Sequence, residues 1–327
     1  MRYAMCLPLG QNLLTDYDNW DDLRQSLSAL GCSGVEGIWP GRPIPEGLPR
    51  DLIVSYHLTF YPDWLDFYRE DKEALRRKFG SLDAAYQFYG GSGPDTLLEL
   101  YRADLDRARR LHARYMVFHV SDISLEEGYT YRWLHSDEEV IDAAAEVINT
   151  LLRDVPPDFA FLVENQWWPG FTFTDPKKTE RLLGGIHFAR KGILLDTGHL
   201  MNTCLDLRTQ EEGVRYIHRM LDRHGSLADF IRGIHLHQSL SGAYVRARMG
   251  RFPDDRGKDY LTRFDENYRH ILQIDRHLPW TEPGICSVLE RVAPDYVAHE
   301  LSARTRRQRE AAIQTQRETL RKGGRSV

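Results

Sequence analysis

Residues 160–199, AFLVENQWWPGFTFTDPKKTERLLGGIHFARKGILLDTGH, contain the pattern on which the fold depends. A short apolar run at Ala160–Glu164 is followed by an amphipathic stretch at Pro176–Leu183 and by a second apolar run at Ile193–Asp196. Apolar runs of this length predict buried strands, and the spacing of the apolar residues between them predicts a helix. The stretch is therefore expected to form a strand, a helix and a second strand, and each strand ends in a carboxylate.

Similar units recur along the whole chain. The predicted strands are Tyr3–Pro8, Val35–Trp39, Ile53–Leu58, Tyr115–Val120, Ala160–Glu164, Ile193–Asp196, Gly233–His237 and Tyr296–Glu300. The predicted helices are Trp20–Leu30, Asp95–His112, Asp137–Leu152, Pro176–Leu183, Gln210–His224 and Asp265–Ile274. Strands that alternate with helices in this way predict one (β/α)8 barrel, an α/β fold in a single domain spanning 1–327. A doubly wound open sheet is the alternative.

The charge is distributed unevenly. The chain has 43 Lys and Arg against 48 Asp and Glu, a net charge of -5. Basic residues are concentrated in segment 302–327, so the rest of the chain is strongly acidic. The segment is expected to be the last barrel helix or a charged tail. This balance does not favour binding of nucleic acid through net charge.

Neither a membrane span nor a cysteine metal site is expected. No window reaches the roughly 18 apolar residues of a membrane span, and the N-terminus lacks a signal-peptide pattern. The four cysteines are scattered without a CxxC pair, which is typical of reduced thiols in the cytoplasm. Any metal is therefore expected to be bound by histidines and carboxylates.

Two insertions are expected at the carboxyl ends of strands, where such barrels carry their active-site loops. After the third strand, 59–94 is rich in aromatic residues and ends in a glycine cluster, which predicts a helical flap. After the seventh strand, 239–260 contains Arg246 and Arg248, which are expected either to hold anionic substrate groups or to lie in a solvated loop.

Metal-ligand side chains end six consecutive predicted strands. Side chains alternate along a strand, so the inward residues near the carboxyl ends of the strands meet at the barrel axis. These residues are His57, His119, Glu164, Asp196, His235 and Glu300, and His199 follows Asp196 by three positions. Burying several carboxylates and imidazoles together without a cation costs several kcal/mol per uncompensated charge. A divalent metal is therefore expected, and nitrogen and oxygen donors suit zinc, manganese or iron.

A further motif, IDRHLPW at 274–280, places Asp275 and His277 where both can reach one ion. With VEN at 163–165, DTGH at 196–199 and IHL at 234–236, the pattern resembles the xylose isomerase-like TIM barrels, and among them most closely the endonuclease IV type. The resemblance spans nearly the whole chain and implies up to three zinc ions. The nine ligands that it implies are His57, His119, Glu164, Asp196, His199, His235, Asp275, His277 and Glu300.

The resemblance implies two chemistries. The endonuclease IV type implies hydrolysis of a phosphoester by metal-bound hydroxide at a centre bridged by Glu164. The sugar isomerases and epimerases of the same superfamily share only the quartet Glu164, Asp196, His235 and Glu300, with one manganese or related ion, and imply proton transfer by Glu164 and Glu300. The larger ligand set favours hydrolysis. A non-catalytic metal- or DNA-binding barrel that uses segment 302–327 is a third hypothesis.

The chain departs from the endonuclease IV type in three places. The segment between His235 and Asp275 is much longer, an aromatic insertion follows His57 where duplex DNA would approach, and His237 replaces an Asn in that family's H-L-N-D. These departures favour a small phosphoester or sugar-like substrate over nucleic acid. The residues expected to contact the substrate are Trp167, Trp168, His237, Arg246, Arg248 and Glu36, although a neighbouring side chain can equally well satisfy Glu36.

Overall fold

The computed structural model describes residues 1–8, 16–38, 47–254 and 257–325. Eight parallel strands form a closed barrel in sequential order, because β1 pairs with β8 as well as with β2. The strands are β1 (Arg2–Pro8), β2 (Val35–Ile38), β3 (Ile53–His57), β4 (Tyr115–His119), β5 (Ala160–Glu164), β6 (Lys191–Asp196), β7 (Ile231–His235) and β8 (Tyr296–His299). The predicted (β/α)8 barrel is confirmed and the open sheet is wrong. Trp39, the predicted end of the second strand, lies outside the described residues.

Helices follow the strands and surround the barrel. The α-helices of the described residues are α1 (Trp20–Ala29), α2 (Leu65–Tyr68), α3 (Lys72–Phe79), α4 (Leu82–Tyr89), α5 (Pro94–Arg110), α6 (Leu125–Thr130), α7 (Asp137–Leu152), α8 (Pro176–Gly185), α9 (Thr197–Asn202), α10 (Gln210–His224), α11 (Gly242–Arg248), α12 (Tyr260–Ile274), α13 (Ile285–Val292) and α14 (Arg306–Lys322). Polar caps set several starts; Ser136, for example, forms a reciprocal capping box with Glu139 at the start of α7.

The two faces of each strand have different partners. Val117, Leu162 and Leu194 lie two residues before a predicted metal ligand on the same side of their strands, and they form an apolar cluster inside the barrel. The alternate residues, such as Met116 and Phe161, belong to the larger core that includes the buried helix faces. An apolar layer therefore supports the polar carboxyl rim from below.

The two predicted insertions meet above this rim. The first forms α2, α3 and α4, and the second contains α11 and ends at Tyr260, the first residue of α12. Their aromatic rings are in contact, with 4.0 Å between the centroids of Phe79 and Tyr260 and 5.5 Å between those of Phe88 and Phe264. The aromatic insertion is thus helical as predicted, and it covers one side of the barrel mouth together with α12.

Buried ion pairs stabilise the first insertion internally, and Asp122 attaches it to the barrel. Lys78 Nζ lies 2.6 Å from Asp63 Oδ1 and 2.6 Å from Asp66 Oδ2. Asp122, which follows β4, accepts hydrogen bonds from the backbone N–H groups of Trp64 and Leu65, each at 2.8 Å. A carboxylate that accepts two backbone donors holds the start of α2 in place.

The basic C-terminal segment forms α14 in the outer layer of the barrel. Ile313 and Leu320 are fully buried, and Arg306 and Arg309 form ion pairs with acidic residues near α1. Part of the positive charge of this segment is therefore neutralised within the fold. None of the described helices has both the length and the apolar character needed to cross a membrane.

Candidate metal centre

The strands bring the predicted ligands to one rim of the barrel. His57, His119, Glu164, Asp196 and His235 are the last residues of β3 to β7, and Glu300 directly follows β8. Strand register places His119 beside Glu164 and Asp196 beside His235. These side chains and four others, His199, His237, Asp275 and His277, form three groups, and within each group the ligand atoms lie within 4.8 Å of one another.

The first cluster consists of His57, His119 and Glu164. Glu164 Oε2 lies 3.3 Å from His57 Nε2 and 3.0 Å from His119 Nε2, and the two imidazole nitrogens are 3.0 Å apart. His57 Nδ1 lies 2.9 Å from the Leu58 carbonyl oxygen, so it is the natural donor and leaves Nε2 without a proton. Two imidazole nitrogens and one carboxylate oxygen at this spacing are a typical ligand set for a divalent metal.

The second cluster consists of Glu164, Asp196, His235 and Glu300. The His235 Nδ1 atom lies 2.8 Å from Glu300 Oε2, 3.4 Å from Glu164 Oε1 and 3.7 Å from Asp196 Oδ2. Three carboxylates that face one imidazole carry more negative charge than the imidazole can neutralise. The second cluster therefore fits a cation with mostly oxygen ligands.

The third cluster consists of His199, His237, Asp275 and His277. Asp275 Oδ2 lies 3.2 Å from His199 Nε2 and 3.2 Å from His277 Nε2. The centroids of the His237 and His277 rings are 4.2 Å apart. Three imidazoles and one carboxylate are the donor set that zinc prefers.

Hydrogen bonding and charge support the assignment of these groups as metal ligands. Glu164 Oε1 accepts no well-directed hydrogen bond from the described residues, although nitrogens of His199 and His235 lie within 3.4 Å of it. Burial acts to raise the pKa of Glu164, but His119 and His235 outweigh it and hold that pKa well below its ordinary value. The carboxylate is therefore ionised at neutral pH, which is the form that binds a cation.

Glu36, on β2, lies behind His235 rather than in a cluster. Its buried carboxylate accepts hydrogen bonds from Ser55 Oγ at 2.8 Å, from Tyr115 Oη at 2.7 Å and from His235 Nε2. A carboxylate that binds one nitrogen of a histidine fixes the ring so that the other nitrogen can bind a metal. The structure thus shows Glu36 satisfied by its neighbours, which was one of the two expectations for this residue.

Asn165 and Gln166 support the centre in ways that the sequence analysis did not anticipate. Asn165 exchanges two hydrogen bonds with the backbone of Asp196, at 2.8 and 3.0 Å. His199 Nδ1 lies 2.9 Å from Gln166 Nε2 and 3.0 Å from the Asn165 carbonyl oxygen. The only feature of the sequence that pointed to this supporting role was the position of both residues directly after Glu164 in VENQ.

Asp196 connects the second and third clusters. Its Oδ1 atom accepts a hydrogen bond of 2.6 Å from the His199 backbone N–H at the start of α9. Its Oδ2 atom lies 2.7 Å from His237 Nε2. The DTGH sequence therefore forms a helix start, and this helix start places His199 in the third cluster.

A cavity of about 460 Å³ opens beside the clusters. Trp167 and Trp168 lie in its wall, and the Phe60 ring packs against both His119 and Trp168. The cavity also reaches ligands of the first and third clusters. It is lined by Phe60, Pro62, Asp63, His119, Ile123, Leu125, Gln166, Trp167, Trp168, His199, Tyr260, Phe264, Asp265, Asn267, Tyr268, Ile271, Leu272, Asp275 and His277.

Arg246 and Arg248 are not among the described residues that line this cavity. Arg246 binds the Leu205 carbonyl oxygen and Asp206 at the surface. Arg248 lies over the Tyr244 ring, 5.6 Å from its centroid. Of the second insertion, only Tyr260 lines the cavity among the described residues. The other lining residues of this region belong to the rest of α12, which the sequence predicted only as a helix.

The closed barrel and the ligand clusters at its carboxyl rim define the chain as a TIM barrel with a candidate metal centre. The chain belongs to the xylose isomerase-like TIM barrel family, whose model matches residues 25–322. No curated protein matches the sequence.

Several solved structures share this fold. Endonuclease IV from Thermus thermophilus is 14% identical, with 98% of this chain and 100% of that chain covered and a TM-score of 0.54. A D-tagatose 3-epimerase-like protein is 12% identical, with 99% and 98% covered and a TM-score of 0.51. An L-ribulose 3-epimerase is 11% identical, with 99% and 94% covered and a TM-score of 0.50. At these identities the similarity establishes the fold alone.

Proposed function

We propose that the chain is a divalent-metal-dependent enzyme that hydrolyses a small phosphoester at a multinuclear centre, with zinc as the best-suited metal and manganese as the alternative. The observation that carries this proposal is the presence of the first and third clusters beside the second one. The second cluster alone would be enough to bind one metal for an isomerase. His57 and His119, and the group around Asp275, would have no role in that reaction.

Divalent cations in such a centre lower the pKa of water and neutralise the oxygens of a phosphoryl group. The contribution of the protein is to hold the metal-binding side chains in position. Glu164 faces the first cluster through Oε2 and the second and third clusters through Oε1, so one carboxylate connects all three. Glu36 orients His235, and Asp196 orients His199. In this proposal Glu164 and Glu300 are the catalytic carboxylates.

The cavity favours a small substrate with an apolar or planar substituent. Trp168, Phe264, Tyr268 and Ile271 line it, and no Lys or Arg occurs among its described lining residues. The charge of a phosphoryl group would therefore have to be neutralised by bound cations. The indole of Trp167 or Trp168 offers a flat face on which a ring of the substrate can stack. A volume of about 460 Å³ suits a small molecule and not a DNA duplex.

A sugar isomerase or epimerase is the second candidate, and one observation favours it. Glu164 and Glu300 both lie within 3.4 Å of the His235 Nδ1 atom in the second cluster. Two carboxylates beside one metal could move a proton between neighbouring carbons of a chelated sugar. This reaction needs one metal per chain.

Metal content distinguishes these candidates. The experiment is elemental analysis of protein purified without chelator or nickel, for the wild type and for His57→Ala, His277→Ala and the control His224→Asn. His224 is a buried histidine outside the clusters that is hydrogen bonded to Thr179. We expect two or three metals per chain, fewer in the first two variants and no change in the control. One metal, unchanged in all variants, would support the isomerase.

Activity then identifies the reaction. Aryl and alkyl phosphodiesters, abasic duplex DNA and ketoses are offered to the metal-loaded protein. We expect turnover of aryl phosphodiesters, with Trp168→Ala raising KM while metal content is unchanged. Cleavage of duplex DNA alone would refute the small-substrate proposal, and metal binding without any turnover would support a non-catalytic barrel.

A further inference from the structure

His237 was expected to contact the substrate, but it lies in the third cluster and is not among the described residues that line the cavity. β7 ends at His235, two residues before His237. Its backbone is fixed by Thr197, whose Oγ1 atom donates to the His237 carbonyl oxygen at 2.6 Å and accepts from its N–H at 3.3 Å. The side chain is completely buried and belongs to the third cluster.

One nitrogen of the His237 ring is uncommitted. Nε2 is hydrogen bonded to Asp196 Oδ2 at 2.7 Å, whereas Nδ1 is buried without a hydrogen-bond partner among the described residues. An orphaned imidazole nitrogen costs free energy in a buried site unless something binds it. A histidine that uses one nitrogen for a carboxylate and leaves the other open has the arrangement typical of metal-binding histidines.

We infer that His237 completes a four-ligand site, so that the third cluster binds its own cation through three imidazoles and one carboxylate, all supplied by the protein. None of these four residues is shared with the other clusters. The first and second clusters, in contrast, share Glu164, which leaves them two and three ligands of their own. Sites that have four protein ligands are closed and structural, whereas catalytic sites keep a position open for water or substrate.

The position of the cavity agrees with this division. His199, Asp275 and His277 line the cavity, but His237 is not among its described lining residues. The fourth ligand therefore approaches from the side away from the cavity. A zinc ion with one carboxylate retains a net charge of about +1, so it would attract a substrate anion without binding it directly. This inference rests on the metal centre proposed above and not on the reaction.

The test compares how firmly the metals are held. Zinc-loaded wild type, His237→Asn and the control His224→Asn are dialysed against a moderate chelator, and the zinc that remains is measured. We expect the wild type and the control to retain one zinc per chain, and the His237→Asn protein to lose it, with an affinity at least about tenfold weaker. Equal retention in all three proteins would overturn the inference.

A second measurement uses the wild type alone, in case His237→Asn does not fold. Cobalt(II) replaces the retained zinc, and its visible spectrum reports the coordination number. We expect the intense absorption of four-coordinate tetrahedral cobalt. The weak absorption of five- or six-coordinate cobalt would overturn the closed site while leaving the proposed enzyme intact. A wild type that binds no metal at all would instead refute the proposed function itself.

Discussion

The position of the His237 ring is expected to depend on the absence of a side chain at Gly198, because the space between the two residues is too small for one. A Cβ atom built on Gly198 would lie at or within 3.0 Å of three atoms of the His237 ring. The ring has little freedom to move, since it is hydrogen bonded to Asp196 and packs against His277. The substitution Gly198→Ala should therefore displace the ring from the third cluster.

The expected magnitude follows from three contributions. Ala is favoured over Gly within a helix such as α9 by roughly 1 kcal/mol. Non-bonded carbon atoms need about 3.5 Å, whereas the new Cβ would lie 2.0 Å from His237 Cε1. The ring must therefore shift by about 1.5 Å, and such overpacking costs about 1–3 kcal/mol. Loss of the hydrogen bond to the Asp196 carboxylate costs about 1.5–3 kcal/mol more. The net loss of stability should thus be at least about 1.5 kcal/mol.

A double-mutant cycle measures this coupling. The free energy of unfolding in urea is determined with EDTA present for the wild type, Gly198→Ala, His237→Ala and the double variant, so that bound metal makes no contribution. Without the His237 ring, Gly198→Ala should be neutral or stabilising by up to about 1 kcal/mol. The same destabilisation in both backgrounds, or none in the wild type, would refute the reasoning.

Three other changes test the centre and its surroundings. Glu36→Gln keeps the volume but removes the charge facing His235, so competition with a chromophoric chelator should show metal affinity lowered by about 10–100-fold, and unchanged affinity would contradict this role. Burial and Asp63 raise the pKa of Asp122 from 3.8 to about 7, so the folded protein binds the extra proton between these values. The free energy of unfolding of the metal-free wild type should therefore fall relative to that of Asp122→Asn as pH rises from about 4 to 7, and identical pH profiles of the two proteins would contradict this prediction. Arg246→Ala should leave KM unchanged, because this arginine is paired at the surface, and a large rise in KM would place it at the substrate.

The fold could be predicted because its determinants are local. Apolar runs of five or six residues and helices with one apolar face produce a signal that does not depend on distant contacts. The predicted bounds of β4 and β5 differ from the structure by at most one residue. β7 was predicted at 233–237 and lies at Ile231–His235, and this shift of two residues changes the surroundings of His237.

The loops were harder to interpret, because the direction of a loop side chain depends on elements far away in sequence. Asp122 lies three residues after His119, yet it binds the backbone of the flap and is not hydrogen bonded to that histidine. Arg246 follows the seventh strand, yet it turns to Asp206 instead of the cavity. In both cases the hydrogen-bond partner of the side chain was decided by the packing of distant elements and not by the spacing of residues in the sequence.

The sequence by itself determined the barrel and the rim positions of the candidate ligands at the strand ends. Side chains alternate along each strand and the strands are parallel, so these side chains all point inward at the same rim of the barrel. Tertiary structure alone decided that His237 joins Asp275 and His277, that Glu36 turns to His235, and that α12 closes an aromatic cavity beside them. These arrangements join residues tens to hundreds of positions apart. Their geometry follows from the packing of whole elements, which no local pattern records.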